Sequence, residues 1–471
     1  MNKEFLKMME AVPKIIQSGE RNSRQMHTVA QVKRFLEWYI GDPDFRAAYE
    51  QAPSETLACY QLNVKVEDMD CLCKDPLCNL YQGKYENLPV AVQWYSAYML
   101  EKIGHRNRLQ EHDCVPKNPA FKAWRQRQLN RCWGELGSNN VGFIHVPLVF
   151  ELSKGCSMGC EFCALASAKL EGIFRATTEN STLWRDILLK SREIIGDAAG
   201  SGVCYCATEP FDNPDYEEFS RIYQEIFGVV PQVTTAAAMR QPERTKKFLQ
   251  EAAKMPGIHR FSVLTLELYR EILQYFAPEE LLFVELLPRF PEAAAYNTVT
   301  KAGRAREENG EESVAQTISC ASGFIVNLVE KSIRLTTPCN ADEAHPTGEI
   351  KPGQMLFTNS ADFAEKMTLM INTYMPISLD SGQILRFQEY YTSCPSKEGF
   401  TLASKAKFRV NFQNSPEIKQ DIYGMIGELI QQKKWTARQI ASTLLTKNDI
   451  APAETFYCIN YLFKAGCLVE Y

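Results

Sequence analysis

Apolar residues recur at helical spacing through the first hundred positions and then give way to shorter, β-rich runs. Val29, Val32, Leu36 and Tyr39 fall on one helical face, and in "GDPDF" Asp42 stands as the N-cap of a new helix with Pro43 in its first position. Residues 1–110 read as a helical domain, and 111–142 as a connecting segment. From about 143 to 340 the runs "FIHVPLVFEL", "GVCYCAT", "PQVTTAA", "HRFSVL" and "LLFVELL" alternate with helical patterns over 181–195, 215–227 and 242–254. Such alternation predicts parallel β/α units, and so an α/β fold. "GFIVNLVEKSIRLTTPC" then reads as two strands joined by a tight Glu-Lys-Ser connection, while 345–400 shows no single period.

The last seventy or so residues change pattern again. Ser415 and Pro416 cap a helix carrying Ile422, Ile426 and Leu429 on one face, and Thr436 with Gln439 forms a capping box for a second. A third begins near Pro452 and carries Phe456, Ile459 and Phe463, and Gly466 stops it before "CLVEY". Three short helices and a terminal strand over 401–471 predict a winged helix.

Composition narrows the class without changing this outline. No run approaches the ~20 apolar residues of a membrane span, and the charged start "MNKEFLKMMEAVPKII" lacks a signal-peptide core. The expectation is a cytoplasmic protein without a membrane partner. A net charge of −5 argues against nucleic acid as the main partner. Sixteen cysteines in such a chain point to metal or radical chemistry rather than a disulfide scaffold.

The chemistry concentrates in "ELSKGCSMGCEFCALASA". Cys156, Cys160 and Cys163 supply three thiols in a loop directly after a strand, with no fourth ligand nearby to close a zinc site. Three thiolates suit a [4Fe–4S] cluster with one open iron. This loop resembles that of the radical S-adenosylmethionine (SAM) superfamily. The resemblance implies a partial (β/α)6 TIM barrel spanning 143–400 together with its extension, and SAM bound through its amino and carboxylate groups to the open iron. It also implies that Phe162 approaches the adenine and that Glu209, after "GVCYCAT", contacts the SAM amino group. Ala207 and Thr208 stand where the superfamily has glycines. Thr235 and Ser262, ending later strands, are further SAM contacts or ordinary strand-end hydroxyls.

The longer stretches "ATEPFDNPDYEEF", "RFSVLTLELYREILQYFAPEELL" and "SGFIVNLVEKSIRLTTPCNADEAHPTGEI" resemble the radical SAM peptide epimerases that mature ribosomally made peptides. That resemblance implies conversion of L- to D-residues in a precursor peptide, with electrons from a low-potential donor such as flavodoxin or ferredoxin. Inversion requires one hydrogen atom removed from Cα and another returned to the opposite face, and a thiol is the suitable donor. Cys339, closing "SIRLTTPC", is the first choice, with Cys320 and Cys394 as alternatives. Two other readings stand beside this one: a radical enzyme that cross-links, excises or rearranges residues, and a peptide-binding or regulatory module with a non-catalytic cluster. Cys204 and Cys206 read as strand packing, and Cys458 and Cys467 as core. The trio Cys71, Cys73 and Cys78 offers only three ligands and is assigned no metal.

The flanks extend the resemblance. Residues 401–471 look like a recognition element that binds the leader of a precursor peptide as an added strand. Nine Lys and Arg against six Asp and Glu there, with only Arg438 in "TARQIASTLL", favour peptide over DNA. "FLEWYIGDPDFRAAYEQAPSETLACYQL" is similar to the helical leaders of nitrile-hydratase- and nitrogen-fixation-like precursors, which implies either a leader mimic or a helical cap on the barrel.

Overall fold

The computed structural model describes residues 14–17, 21–74, 88–294, 302–306, 320–396, 399–414 and 420–470. Cys78, Ser415 and Pro416 lie outside the described residues. From the N terminus run helices α1 (Ser23–Gly41), α2 (Pro43–Gln51), α3 (Pro53–Cys59), α4 (Val66–Lys74), α5 (Val90–Arg108) and α6 (Pro119–Leu136). Strands β1 (Val146–Glu151), β2 (Ser153–Lys154) and β3 (Gly172–Ile173) and helices α7 (Thr178–Ile195) and α8 (Tyr216–Phe227) follow. Next come β4 (Thr234–Thr235), α9 (Pro242–Ala252), β5 (His259–Val263), α10 (Leu266–Tyr275) and β6 (Val284–Pro288). After these stand β7 (Ala321–Asn327), β8 (Ser332–Pro338), β9 (Glu349–Leu356) and α11 (Ser360–Tyr374). The last group is β10 (Tyr391–Ser396), β11 (Gly399–Ser404), β12 (Arg409–Gln413), α12 (Ile422–Gln431), α13 (Ala437–Asn448) and α14 (Pro452–Lys464). The protein is thus mixed α/β, and among the described residues no helix is long and apolar enough to cross a membrane.

Two compact units share the chain: Met1–Leu109, Cys156–Met158 and Thr208–Thr298 form the first, and Gln110–Gly155, Gly159–Ala207 and Val299–Tyr471 the second. In the first, β4, β5 and β6 pair in parallel, with α9 and α10 as crossovers. Same-direction pairing needs such crossovers, so the alternation in the sequence appears as β-α-β-α-β. Asp42 caps α2 as expected, accepting the amides of Asp44 and Phe45 at 2.9 and 3.3 Å. Arg270 of α10 adds two bonds to the same carboxylate at 2.7 and 2.8 Å. Val29, Val32, Phe35 and Leu36 are buried, and Arg34 of α1 donates to the carbonyls of Leu273 and Phe276 at 2.6 and 2.8 Å. The apolar face of α1 is therefore buried inside this unit.

In the second unit a mixed sheet has the order β1-β7-β8-β9. β1 and β7 run parallel, while β7, β8 and β9 are antiparallel. The expected hairpin is present, turning over 328–331 with Lys331 at φ 50°. "GVCYCAT" shrinks from an expected strand to a single parallel bridge between Val203 and Val149. Helix α6 covers one sheet face, setting Phe121 edge-on to Phe324 at 5.4 Å. His145, just before β1, is fully buried with Ser322 and Asn140 each 2.8 Å from its ring nitrogens. Burial, with Arg125 and Arg131 nearby, lowers its pKa well below the usual range. It is a neutral structural residue.

The C-terminal part of this unit differs from its expected layout. Strands β10, β11 and β12 form an antiparallel sheet in that order, inside and beyond the stretch that showed no period. Its helices come afterwards. Helix α12 is capped by Asp421, which accepts the Gly424 amide at 2.8 Å. The Thr436–Gln439 capping box opens α13 as expected, and α14 ends before Gly466 at φ 71°. The expected terminal strand is reduced to one bridge between Phe387 and Leu468. Phe400, Leu402, Phe412, Ile426, Ile440 and Leu462 form the core between sheet and helices. Cys458 and Cys467 are buried in it, as expected.

Candidate functional site

The cysteine loop hangs from a narrow neck. After the fully buried β1, Ser153 and Lys154 pair antiparallel with Ile173 and Gly172, closing the chain on itself on either side of residues 155–171. Gly155 opens the loop at φ 80°, where a Cβ would stand 2.1 Å from the Lys169 carbonyl oxygen. Only glycine satisfies both the left-handed backbone and that close approach. At the neck, Glu151 is 2% exposed and receives Arg334 at 3.0 and 3.2 Å, Asn327 at 3.1 Å and the Ala207 amide at 3.3 Å. A buried carboxylate of this kind is tolerable only with such partners. Burial, then the carboxylates of Glu151 and Glu349, push the nearby Cys206 thiol well above its ordinary pKa.

Cys156 belongs with Ser157 and Met158 to the first unit. There Asp212, its side chain 2% exposed, accepts the Ser157 amide at 2.8 Å and the Ser157 hydroxyl. Arg240 donates to Asp212 at 2.8 Å and to the Ser157 hydroxyl at 2.9 Å, and its guanidinium lies 2.9 Å from the Met158 sulfur. Glu209 and Thr235, both expected at the SAM site, are brought together in this unit. The Glu209 carboxylate is 4% exposed and accepts the Thr235 hydroxyl at 2.5 Å and the amides of Ala236 and Phe211 at 2.9 and 3.2 Å. Burial raises its pKa against those bonds. Ser262 stands on β5 one residue beyond Phe261, the register partner of Thr235, on the half-exposed face of that strand.

Cys160 and Cys163 belong to the second unit, with Phe162 half-buried between them. The Cys163 amide donates to the Cys160 carbonyl at 3.2 Å, and Arg304 binds both carbonyls. Of the three candidate hydrogen donors, Cys339 is 3% exposed. Its thiol is pushed up by burial and then by Glu135, which keeps it protonated. Cys320 is half-buried ahead of β7, and its carbonyl accepts the Val146 amide at 2.8 Å. Cys394 is exposed on β10, opposite Thr401. Cys204 is buried, as a packing residue should be.

Among the described residues no three His, Cys, Asp or Glu side chains stand close enough together to hold a single metal ion. Within the first unit Asp212 and Arg240 hold Ser157 beside Cys156, and within the second Arg304 holds the carbonyls of Cys160 and Cys163; thiol side chains of this kind are the usual ligands of an iron–sulfur cluster. Sequence reasoning missed those three positioning residues and the Glu151–Arg334 pair. Asp212 lies within a quoted motif but has no spacing that marks its role, and Arg304 lies about 140 residues from the loop it binds.

No protein-family model matches the chain. It is 31% identical over 468 residues to "Uncharacterized protein y4wI" of Sinorhizobium fredii, an alignment that covers 96% of this chain and 89% of that protein. Among solved structures, the crystal structure of BtrN in complex with AdoMet and 2-DOIA matches 48% of this chain and 81% of its own at 15% identity. The TM-score of 0.32 is too low to establish a common fold.

Proposed function

The chain belongs to the family of y4wI, and we propose that it is a radical SAM enzyme that converts L- to D-residues in a ribosomally made precursor peptide. The observation that carries this reading is the CxxxCxxC loop, closed at its neck by β2 and β3 and opened by a position only glycine fills. Cys156, Cys160 and Cys163 would hold a [4Fe–4S] cluster. Glu209, Thr235, Ser262 and Phe162 are the residues proposed to meet SAM. When bound, the two cofactors supply a 5′-deoxyadenosyl radical that takes Hα from the target residue, with electrons from a flavodoxin or ferredoxin. A partial (β/α)6 barrel is the fold that goes with this reading, and the parallel β-α-β-α-β run of the first unit supports it.

Cys339 is the proposed donor of the returning hydrogen atom. Its burial and raised pKa favour a protonated thiol, the form that has an S–H hydrogen to give. The peptide itself has a candidate seat in the C-terminal part. β12 is an edge strand of its sheet, and beside it runs a groove of about 580 Å³ lined by Phe412, Gln413, Tyr423, Tyr457 and Tyr461. Tyr457 and Tyr461 are 73% and 53% exposed one helical turn apart on α14, with Tyr461 edge-on to Phe412 of β12. An extended leader could pair with β12 and rest side chains on these rings. Arg438 of α13, the cation that a DNA groove would meet, is directed to the Ser381 hydroxyl at 3.3 Å, which supports peptide over nucleic acid.

The test is co-expression in D2O with a candidate precursor peptide encoded beside the enzyme, followed by mass and chiral amino-acid analysis. D-residues carrying deuterium at Cα, with no other change of mass, are expected. A loss or gain of other atoms would transfer the chain to a cross-linking or excising chemistry.

A further inference from the structure

Between two undescribed stretches, residues 302–306 make more contact with the cysteine loop than their length suggests. The Arg304 amide donates to the Cys163 carbonyl at 3.0 Å. The Arg304 guanidinium donates to the carbonyls of Cys160 at 2.8 Å and Ser167 at 2.7 Å. Gly303 sits at φ 55°, where a Cβ would come within 2.3 and 2.5 Å of the Ala164 and Cys163 carbonyl oxygens. Ala302 and Ala305 on either side are fully buried. On its other side the Gly303 amide donates to the Pro346 carbonyl at 2.7 Å.

Pro346 lies in the turn that leaves Cys339. That turn is held by its own bonds: Cys339 amide to Gly348 carbonyl at 3.0 Å, Gly348 amide to His345 carbonyl at 2.9 Å, and His345 amide to the Asp342 carboxylate at 2.6 Å. Resting on the function proposed above, we infer that residues 302–306 brace the Cys160–Ser167 half of the cysteine loop against the 340–348 turn, with Arg304 as the positioning residue. The physical need is specific. The guanidinium bonds are solvent-exposed, where water is an alternative donor, so what Arg304 adds is position: the planar fork gathers two loop carbonyls while the adjacent amide takes a third. A hydrogen atom removed from one site and returned from another must be handled at fixed separation, because misplacement of either group by about 1 Å slows such chemistry by orders of magnitude.

Three variants of the full chain test this: Arg304→Ala, Arg304→Lys and Gly303→Ala, the last keeping the guanidinium but crowding the Cys163 and Ala164 carbonyls. Hydrogen exchange of the unreconstituted protein is read first. Arg304→Ala and Gly303→Ala should raise exchange at Cys163 and Ala166 several-fold, Arg304→Lys should lie between, and α12–α14 should be unchanged as the folding control. With cluster, SAM and precursor, the yield of D-residue per 5′-deoxyadenosine should then fall in the same order, which a general loss of stability would not produce. Wild-type exchange in both Arg304→Ala and Gly303→Ala overturns the brace. Raised exchange with a wild-type yield ratio overturns its link to hydrogen return. If the wild-type chain makes no 5′-deoxyadenosine, the proposed function fails, and the exchange data still decide whether the brace exists.

Discussion

Replacing Asp212 by Ala removes one buried carboxylate and leaves three donors to find new partners: the Ser157 amide, the Ser157 hydroxyl and Arg240. Hydrogen bonds to a charged group contribute about 1.5–3 kcal/mol each when both partners are desolvated. Here the donors lie near water, Ser157 being exposed and the Arg240 side chain 45% exposed, so most of that is recovered by hydration. A net cost of about 1–2 kcal/mol for the whole cluster is the reasonable figure, equivalent to a 5- to 30-fold rise in local opening. Hydrogen exchange at Ser157 measures it directly, and iron retained after anaerobic reconstitution should fall in parallel. Asp212→Asn keeps an oxygen for the Ser157 amide but loses the ion pair with Arg240, and should give a smaller rise. An Ala variant that folds, holds iron and exchanges Ser157 at the wild-type rate would refute the idea that this carboxylate holds the first turn of the loop.

Other outcomes follow from the same geometry. Gly155→Ala places a side chain at φ 80° and 2.1 Å from a backbone oxygen, costing about 1–2 kcal/mol in backbone conformation alone. Limited proteolysis should then cut within 155–171 faster than in the wild type. Cys339→Ala should abolish D-residue formation while 5′-deoxyadenosine is still released, and D-residues at the normal rate would send the search to Cys320 or Cys394. Tyr457→Ala or Tyr461→Ala should weaken binding of a labelled leader about tenfold by fluorescence anisotropy, as for aromatic anchors elsewhere; unchanged affinity would place the peptide on another surface. Burial pushes the Glu285 carboxyl up, and Lys102 and Arg260 more than offset it, holding the pKa at about 2 against an ordinary 4.5. A depressed carboxyl stabilises the folded state above pH 4.5, and that contribution, at most about 3 kcal/mol, is lost as the pH falls through 2. Glu285→Gln should therefore flatten the acid-unfolding profile followed by near-ultraviolet circular dichroism, and superposable profiles would remove Glu285 from the account.

Local information carried a definite part of the structure. Asp42 before Pro43, and Thr436 three residues before Gln439, each mark a helix start because cap and capped amide are neighbours in the chain. In the first unit the three strand runs and the 242–254 helix were legible for a similar reason, each carrying its own period, while the second crossover helix, α10, was not read. The three loop cysteines were visible because their chemistry depends on short spacing. The β10-β11-β12 sheet was not, because its strands expose alternate polar residues and acquire meaning only on pairing. Nor was the shortening of "GVCYCAT" to one bridge at Val203.

By itself, then, the sequence determined that three thiols share a glycine-started loop after a buried strand and that helices follow near 181–195, 215–227 and 242–254, while α6, in the segment read as a connection, came only with the structure. Tertiary structure alone decided what holds that loop: Asp212 and Arg240 at Ser157, Arg304 at Cys160 and Cys163, and Arg334 on Glu151 at the neck. It also decided that Cys339 is a buried thiol whose turn reaches Gly303 through Pro346. The division has a physical cause. A thiol's capacity to bind iron is a property of the residue and its near neighbours, whereas the partner of a carbonyl or a carboxylate is whichever donor the fold delivers, at the neck of this loop from 183 residues away.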